Sequence, residues 1–208
     1  MKHFFKQTIY PAILVPLLVL TLSSCKGKPA QLSASETASI ESERQALTKR
    51  TDSLGTLLST ITFEANSGNK QDYNKGVVLG VSIAKAAHEL PKLVDKDQIV
   101  LNEAKISLVI DYPLRKEYRF ELNSPAGFTR GQLLSEIGKH YVQLYKEEEE
   151  SATTKTIPMK DRKGLINRNE TNGKYGIWGH DLEDLILTDV NVYKTPEGNI
   201  ILALSVES

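Results

Sequence analysis

The chain has 208 residues, of which 26 are Lys or Arg and 26 are Asp or Glu, so its formal net charge is zero. A balanced charge of this kind excludes a general attraction to nucleic acid, and we expect no nucleic-acid partner. The length allows one folded domain with its own core and an additional tether. The sequence contains one cysteine, Cys25, which excludes a disulfide within the chain and a zinc site built from several thiolates.

The first 24 residues have the pattern of a secretory signal. Lys2 and Lys6 carry positive charge, an uncharged run follows from Ile9 to Leu20, and small serines precede Cys25. The run is shorter than the roughly 20 apolar residues that a membrane-spanning helix needs. We therefore predict that residues 1–24 are removed and that no later segment crosses a membrane.

The tetrapeptide Leu22-Ser23-Ser24-Cys25 resembles the lipobox of bacterial lipoproteins. The resemblance implies that diacylglycerol is attached to the Cys25 thiol and that the new N-terminus also carries a fatty acid such as palmitate. Two or more acyl chains hold a protein stably on a membrane, because each buried CH₂ contributes about 0.8 kcal/mol. Lys26, rather than Asp, follows the cysteine, and in such lipoproteins this favours the outer membrane, facing the periplasm.

Two segments follow the lipidation site. Residues 25–35 are rich in Lys, Gly, Pro, Ala and Ser and predict a flexible tether. Residues 36–63 predict a helix, because apolar side chains recur every seven residues at Ile40, Leu47, Leu54 and Ile61. Self-association as a coiled coil is the alternative, but three of the partner positions are charged: Glu43, Arg50 and Glu64. This favours packing of the helix on its own domain.

Residues 73–90 predict a second helix, rich in Val, Ala, Ile and Leu and ending before Pro91. Its start, Gly76–Val81, is equally compatible with a strand. With the first helix it forms a predicted helical segment over residues 36–95.

The remaining residues, 96–208, predict strands around one helix. Residues 105–112 and 117–123 alternate apolar and polar side chains and are joined by a short link, which indicates an antiparallel hairpin. Residues 129–147 predict a helix, since Thr129 and Gln132 have the spacing of a capping box. A last strand pair is predicted at 181–193 and 199–206, with at least one strand buried on both faces.

The sequence therefore predicts an α+β fold. N-terminal helices are followed by a hairpin–helix–hairpin unit with a four-stranded antiparallel sheet.

The densest polar cluster is Tyr175–Asp184. If its second half forms a helical turn, His180 and Asp184 share a face and can hold a divalent metal, with Asp181 or Glu183 as general base. In that interpretation the cluster is the centre of a metal-assisted hydrolase.

A structural interpretation of the same cluster competes with the catalytic one. Trp178, the only tryptophan, then anchors the loop on the core, and His180 hydrogen-bonds a neighbouring carboxylate. No second histidine lies at ligand spacing, which favours this interpretation. We accordingly predict no bound metal or cofactor.

The segment before this cluster is basic. It contains Lys155, Lys160, Arg162, Lys163, Arg168 and Lys174. These residues can bind an anionic partner, such as lipopolysaccharide phosphate or an acidic protein surface. The favoured alternative is a solvated loop that offsets the acidic run Glu147–Glu150.

The sequence contains no glycine-rich phosphate loop, nucleophile elbow or paired-histidine motif. We therefore predict a lipid-anchored interaction or scaffold domain of the cell envelope, without catalytic activity and with a protein partner. An immunity protein that neutralises an incoming toxin is a special case. The alternative is a metal-assisted periplasmic hydrolase using His180, Asp181 and Asp184.

Overall fold

A computed structural model of the chain describes residues 54–69, 76–164 and 167–208. These residues form ten strands and two α-helices: β1 (Thr56–Thr62), β2 (Glu64–Asn66), β3 (Val77–Leu79), β4 (Val81–Ser82), α1 (Ala86–Glu89), β5 (Ile99–Leu101), β6 (Lys105–Ile110), β7 (Tyr118–Asn123), β8 (Phe128–Thr129), α2 (Arg130–Ser151), β9 (Ile186–Lys194) and β10 (Ile200–Glu207). The predicted signal peptide, the tether and most of the predicted helix 36–63 lie outside the described residues.

The main sheet has six strands, in the order β1-β9-β10-β6-β7, with β4 also pairing with β9. β10 runs parallel to β6, and the other pairs are antiparallel. The sheet is therefore mixed, and its centre consists of β9 and β10. Three consecutive residues of β10, Leu202, Ala203 and Leu204, are all buried, which confirms that a strand of the last pair is covered on both faces.

The long helix α2 begins where the sequence predicts. Gln132 N–H donates to Thr129 Oγ1 and the Gln132 side chain accepts from Thr129 N–H, so the capping box is formed. The buried face of α2 packs against the sheet, and five of its side chains have no exposed surface: Leu133, Leu134, Ile137, Tyr141 and Leu144. Each fully buried aliphatic side chain of this size stabilises the fold by about 1.5–3 kcal/mol.

The fold differs from the predicted one, because the described part of the chain is mostly β. Where N-terminal helices are predicted, the described residues, 54–69 and 76–95, form four strands and the short helix α1. The four-stranded antiparallel sheet is also wrong, since the sheet has six strands in mixed orientation.

The seven-residue repeat that predicts a helix over 36–63 does not form one face in the structure, because Leu54 and Ile61 lie on opposite faces of the sheet. Ile61 belongs to the core between the sheet and α2, while Leu54 packs with Val109, Tyr193 and Ala203 on the other face. Pairing with β9, about 130 residues away, overrides any local helical tendency of this segment.

In place of the second predicted helix, the described residues form β3, β4 and α1, so the strand alternative for Gly76–Val81 is correct. Gly80 separates β3 from β4. Gly80 has φ +87°, and a Cβ there would lie 2.5 Å from Ile186 Cγ2 on β9. A glycine is required here by this backbone conformation and by the close approach of β9.

The hairpin β6–β7, the helix α2 and the pair β9–β10 are present as predicted, with ends shifted by a few residues. Within residues 54–69, 76–164 and 167–208, no helix combines the length and the apolar character needed to cross a membrane.

Candidate functional site

The candidate site lies at the end of the sheet where the carboxyl ends of β6 and β10 meet. These ends are adjacent because the two strands are parallel. The link 111–117 leaves β6 there, Ser208 follows β10 there, and the long connection 152–185 returns to the same place, since Trp178 N–H donates to Pro113 O at 3.1 Å.

Four side chains from these segments form what we call the aromatic patch: Tyr112, Arg115, Trp178 and His180. The rings of Tyr112, Trp178 and His180 lie 5.4–5.6 Å from one another, and Tyr112 and Trp178 meet edge to face at 83°. The guanidinium of Arg115 lies 5.9 Å from the Trp178 ring centroid, within range of a cation–π interaction. The three rings are half-buried, so each offers part of its surface to solvent.

Arg115 is held in place by a two-pronged ion pair with Glu170. Nε and Nη2 donate to the two carboxylate oxygens at 2.9 and 3.1 Å. The hydrogen bonds and charge of Arg115 hold the pKa of Glu170 below its usual value, and those of Glu170 raise the pKa of Arg115. Both side chains are more than half exposed, so the pair orients Arg115 but adds little to stability.

The connection that carries Trp178 is fastened to α2 by a buried carboxylate, Glu148, which has no exposed surface. Its two oxygens accept from Thr171 Oγ1 at 2.6 Å and from three backbone N–H groups at 2.8–3.1 Å: Gly173, Tyr175 and Gly176. Burial opposes ionisation, but these hydrogen bonds outweigh it and hold the pKa of Glu148 below its ordinary value. We call this arrangement the Glu148 cradle.

A second carboxylate, Glu147, fastens the same segment from the helix surface. It accepts from Lys174 Nζ at 2.8 Å and from the Tyr175 hydroxyl at 2.5 Å. Hydrogen bonds from Lys174, Tyr175 and Gln143 lower the pKa of Glu147 to about 2. It is therefore ionised throughout the physiological pH range.

An ion pair between Arg162 and Asp181 joins two parts of the connection 152–185 next to the aromatic patch. Arg162 donates to both oxygens of Asp181 at 2.6 and 2.8 Å, with the Arg162 side chain only 6% exposed. Arg168 is buried, donates to Thr156 Oγ1 and Ile177 O, and lies 3.9 Å from Asp181. These cations hold parts of the connection together.

Two tyrosines of α2 support the patch from the core side. Tyr141 donates its hydroxyl to Tyr112 O at 2.9 Å, and Tyr145 donates to His180 O at 3.0 Å. Burial raises the pKa of both phenols, so both remain protonated donors. The backbone under two of the patch rings is thereby attached to the helix.

The three residues of the predicted hydrolase centre lie close in the chain, but their side chains have different hydrogen-bond partners. His180 Nε2 lies 3.4 Å from Ser208 Oγ, Asp181 binds Arg162, and Asp184 Oδ2 accepts from Asp181 N–H at 2.9 Å. The helical turn in this region is a 3₁₀ turn over Leu182–Asp184, capped by Asp181. In the described part of the chain, no group of three or more His, Cys, Asp or Glu side chains is placed to hold a metal ion. The hydrolase remains a prediction.

The structure distributes the predicted basic binding residues over different environments. Lys160 lies on a 3₁₀ turn at Met159–Asp161 and, like Lys163, is exposed. Arg162 and Arg168 are directed inward, as described above. Trp178 belongs to the aromatic patch, so the structure brings it together with His180 and not with the two lysines. Cys25, the predicted lipidation site, lies outside the described residues.

Sequence reasoning missed Tyr112, Arg115 and Glu148. The first two lie in the short link after β6, and no motif marks them. The bridge between Leu114 and Ile177 and the hydrogen bond from Trp178 N–H to Pro113 O place them beside residue 178. Glu148 belongs to a run of four glutamates that is typical of a solvated helix end. The signal available was its helical spacing, because Glu148 follows Tyr141 and Leu144 by seven and four residues on the buried face.

No protein-family model, no curated protein and no solved structure matches this chain.

Proposed function

We propose that this chain is a lipid-anchored binding domain of the bacterial cell envelope, without catalytic activity, and that it holds a protein partner on the aromatic patch. The observation that carries the proposal is the patch itself: Trp, Tyr and Arg side chains that are partly exposed and fixed from below.

The residue types favour a protein partner. Trp, Tyr and Arg are the side chains most enriched among residues that dominate binding energy in protein interfaces. In the aromatic patch, the Tyr112 ring and the Arg115 guanidinium both lie within 6 Å of the Trp178 ring. Its rings offer apolar area, and Arg115 offers a cation whose partner Glu170 is solvent-exposed.

The rigidity of the patch supports binding as well. The backbone beneath the rings is held by Tyr141 and Tyr145, and the segment before Trp178 is held by the Glu148 cradle. Side chains that are already ordered lose little conformational entropy on association, so more of the contact energy appears as affinity.

The anchor rests on the signal-like segment 1–24 and the lipobox that ends at Cys25. The predicted flexible tether, residues 25–35, gives the domain room to reach a partner in the same membrane or in the periplasm.

Replacement of Trp178 by Ala tests the binding site. A photo-reactive amino acid at Lys116, an exposed neighbour of Arg115, should yield a discrete adduct when intact cells are irradiated. We expect Trp178→Ala to weaken partner binding at least about 30-fold, the effect of a hot-spot residue worth 2 kcal/mol. The adduct on denaturing gels should then fall to background.

The matched control is Ile99→Ala. Ile99 is 52% exposed and lies on β5, which pairs with β8 at the start of α2, the opposite end of the helix from Glu148. The control should leave the adduct unchanged. Equal adduct yields from both variants, each with an unchanged far-UV spectrum, would show that the patch is not the binding surface.

Replacement of Cys25 by Ala tests the anchor. Cells grown with a fatty-acid probe should label the protein that carries Cys25, and the Cys25→Ala variant should lose all label because no other cysteine is present. The unlabelled variant should also leave the membrane fraction more readily, since the acyl chains supply the attachment. Normal labelling of the variant would contradict the anchor.

A further inference from the structure

The two edges of the main sheet differ in their protection against pairing with another strand. The β7 edge carries Arg119 and Glu121 among its exposed residues, with Lys105 of β6 paired to Glu121 at 2.9 Å. Charged side chains of this kind discourage a foreign strand, because pairing would desolvate them or place like charges opposite each other.

The β1 edge lacks these charges. Its sequence, Thr-Leu-Leu-Ser-Thr-Ile-Thr, contains no charged residue and no proline. Residues 56–60 are all exposed, and Leu57 and Leu58 expose 51% and 54% of their surface. Among the described residues, β1 pairs with β9 alone, so no described strand covers its outer edge.

Two features limit where another strand can pair. Arg130 Nε donates to Thr62 O at 3.1 Å, which occupies the last carbonyl of β1. A bulge between Leu57 and Ser59 interrupts the pairing with β9. Neither feature places a charge or a covering element over the middle of the strand. Ser59 and Thr60 are exposed in the described part of the chain.

We propose that the β1 edge pairs antiparallel with the β1 edge of a second copy of this chain, which joins the two sheets across a two-fold axis. The occupant follows from the composition of the strand. Antiparallel pairing of two identical strands places residues of the same seven-residue set opposite each other, and a set without charges meets no like-charge repulsion.

Membrane confinement strengthens this pairing, an argument that rests on the proposed lipid anchor. A contact through one short strand per copy buries little area, so in dilute solution it is weak. Two copies attached to one membrane have a high effective concentration, which converts a weak contact into a populated dimer. β1 begins two residues after Leu54 and is thus the first described strand to follow the tether.

Chemical cross-linking of the full chain in the cell envelope tests the proposal. Ser59 is the middle residue of β1, so Ser59→Cys places two thiols close to the two-fold axis. We expect a short bis-maleimide to convert this variant to a species of doubled mass. The control Glu121→Cys, on the charged β7 edge and of comparable exposure, should remain a monomer. Equal dimer yields from both variants would mean random collision and would overturn the proposal.

Complementary charged substitutions on β1 distinguish loss of pairing from misfolding of the variant. In the Ser59→Cys background, a Leu58→Lys/Thr60→Lys chain and a Leu58→Glu/Thr60→Glu chain should each lose the cross-link when expressed alone. The two expressed together should regain it, because opposite charges then face each other. Persistence of the cross-link in either single variant, or no recovery in the mixture, overturns the pairing. Fatty-acid labelling of the same samples reports the anchor separately, so loss of the anchor and loss of the pairing are distinct results.

Discussion

Glu148→Gln should lower the free energy of unfolding by about 3–5 kcal/mol, because buried hydrogen bonds to a charged group are lost. The carboxylate accepts four hydrogen bonds and donates none. Glutamine keeps one acceptor oxygen but turns an NH₂ group toward two N–H donors. At least two charge-assisted hydrogen bonds, each worth about 1.5–3 kcal/mol, are lost and their donors remain buried.

Urea unfolding followed by two probes measures this effect. Trp178, the only tryptophan, lies in the segment that the cradle holds, and far-UV circular dichroism reports the sheet and α2. In the variant, the tryptophan transition should move to lower urea at least as far as the dichroism transition.

The matched control is Glu150→Gln, two residues further along the same helix. Glu150 is 65% exposed, and its nearest cation, Lys146 Nζ, lies 3.8 Å away, so the control should cost less than about 0.5 kcal/mol. If both variants lose the same stability, the cradle does not hold the connection.

The pH dependence of the Glu148 effect has a defined sign. The folded-state pKa of Glu148 lies below the ordinary value of 4.5, so the ionised carboxylate stabilises the fold fully above about pH 4.5. This contribution is lost as the pH falls through the folded-state pKa. The difference in stability between wild type and Glu148→Gln should therefore be largest near neutral pH and should narrow in acid.

Phe63→Ala should lower the free energy of unfolding by about 3–5 kcal/mol, the usual cost of truncating a buried phenylalanine. Phe63 has no exposed surface, and its N–H donates to Thr188 O at 2.8 Å just after β1 ends. Removing the ring leaves a cavity in the core between the sheet and α2. Urea or thermal unfolding of the full chain measures the loss.

Leu57→Ala is the matched control, because Leu57 lies six residues earlier and is 51% exposed. It should cost less than about 1 kcal/mol. A continuous helix over 36–63 predicts the opposite order: Leu57 would lie about 40° from Ile61 on the buried seam and Phe63 about 160° away. A larger loss for Leu57→Ala than for Phe63→Ala would therefore contradict the strand and favour the helix.

The elements that the sequence predicts correctly are those formed by interactions between residues close together in the chain. The capping box of Thr129 and Gln132 is formed within four residues, and it marks the start of α2 by itself. In β6 and β7, alternation of apolar and polar residues and a short link specify an antiparallel hairpin. Each of these patterns involves neighbours in the chain.

The elements that the sequence predicts wrongly depend on distant partners. β1 and β4 are strands because β9 offers them an edge, with Thr60 Oγ1 donating to Asn191 Oδ1 across 131 positions. Seven-residue spacing between Leu54 and Ile61 is compatible with one face of a helix, but in the structure the two side chains contact opposite faces of the sheet. Periodicity alone does not distinguish these cases.

The sequence by itself determined the capped helix, the hairpin and the final strand pair, and it located Trp178 and His180 in a polar cluster. Only the tertiary structure decided that the link after β6 meets residues 177–178, which brings Tyr112 and Arg115 to that cluster. It also decided that Glu148 is buried under backbone N–H groups more than 20 residues away. The physical reason is that every residue except proline carries a backbone N–H, so no side-chain pattern predicts which of them a buried carboxylate will bind.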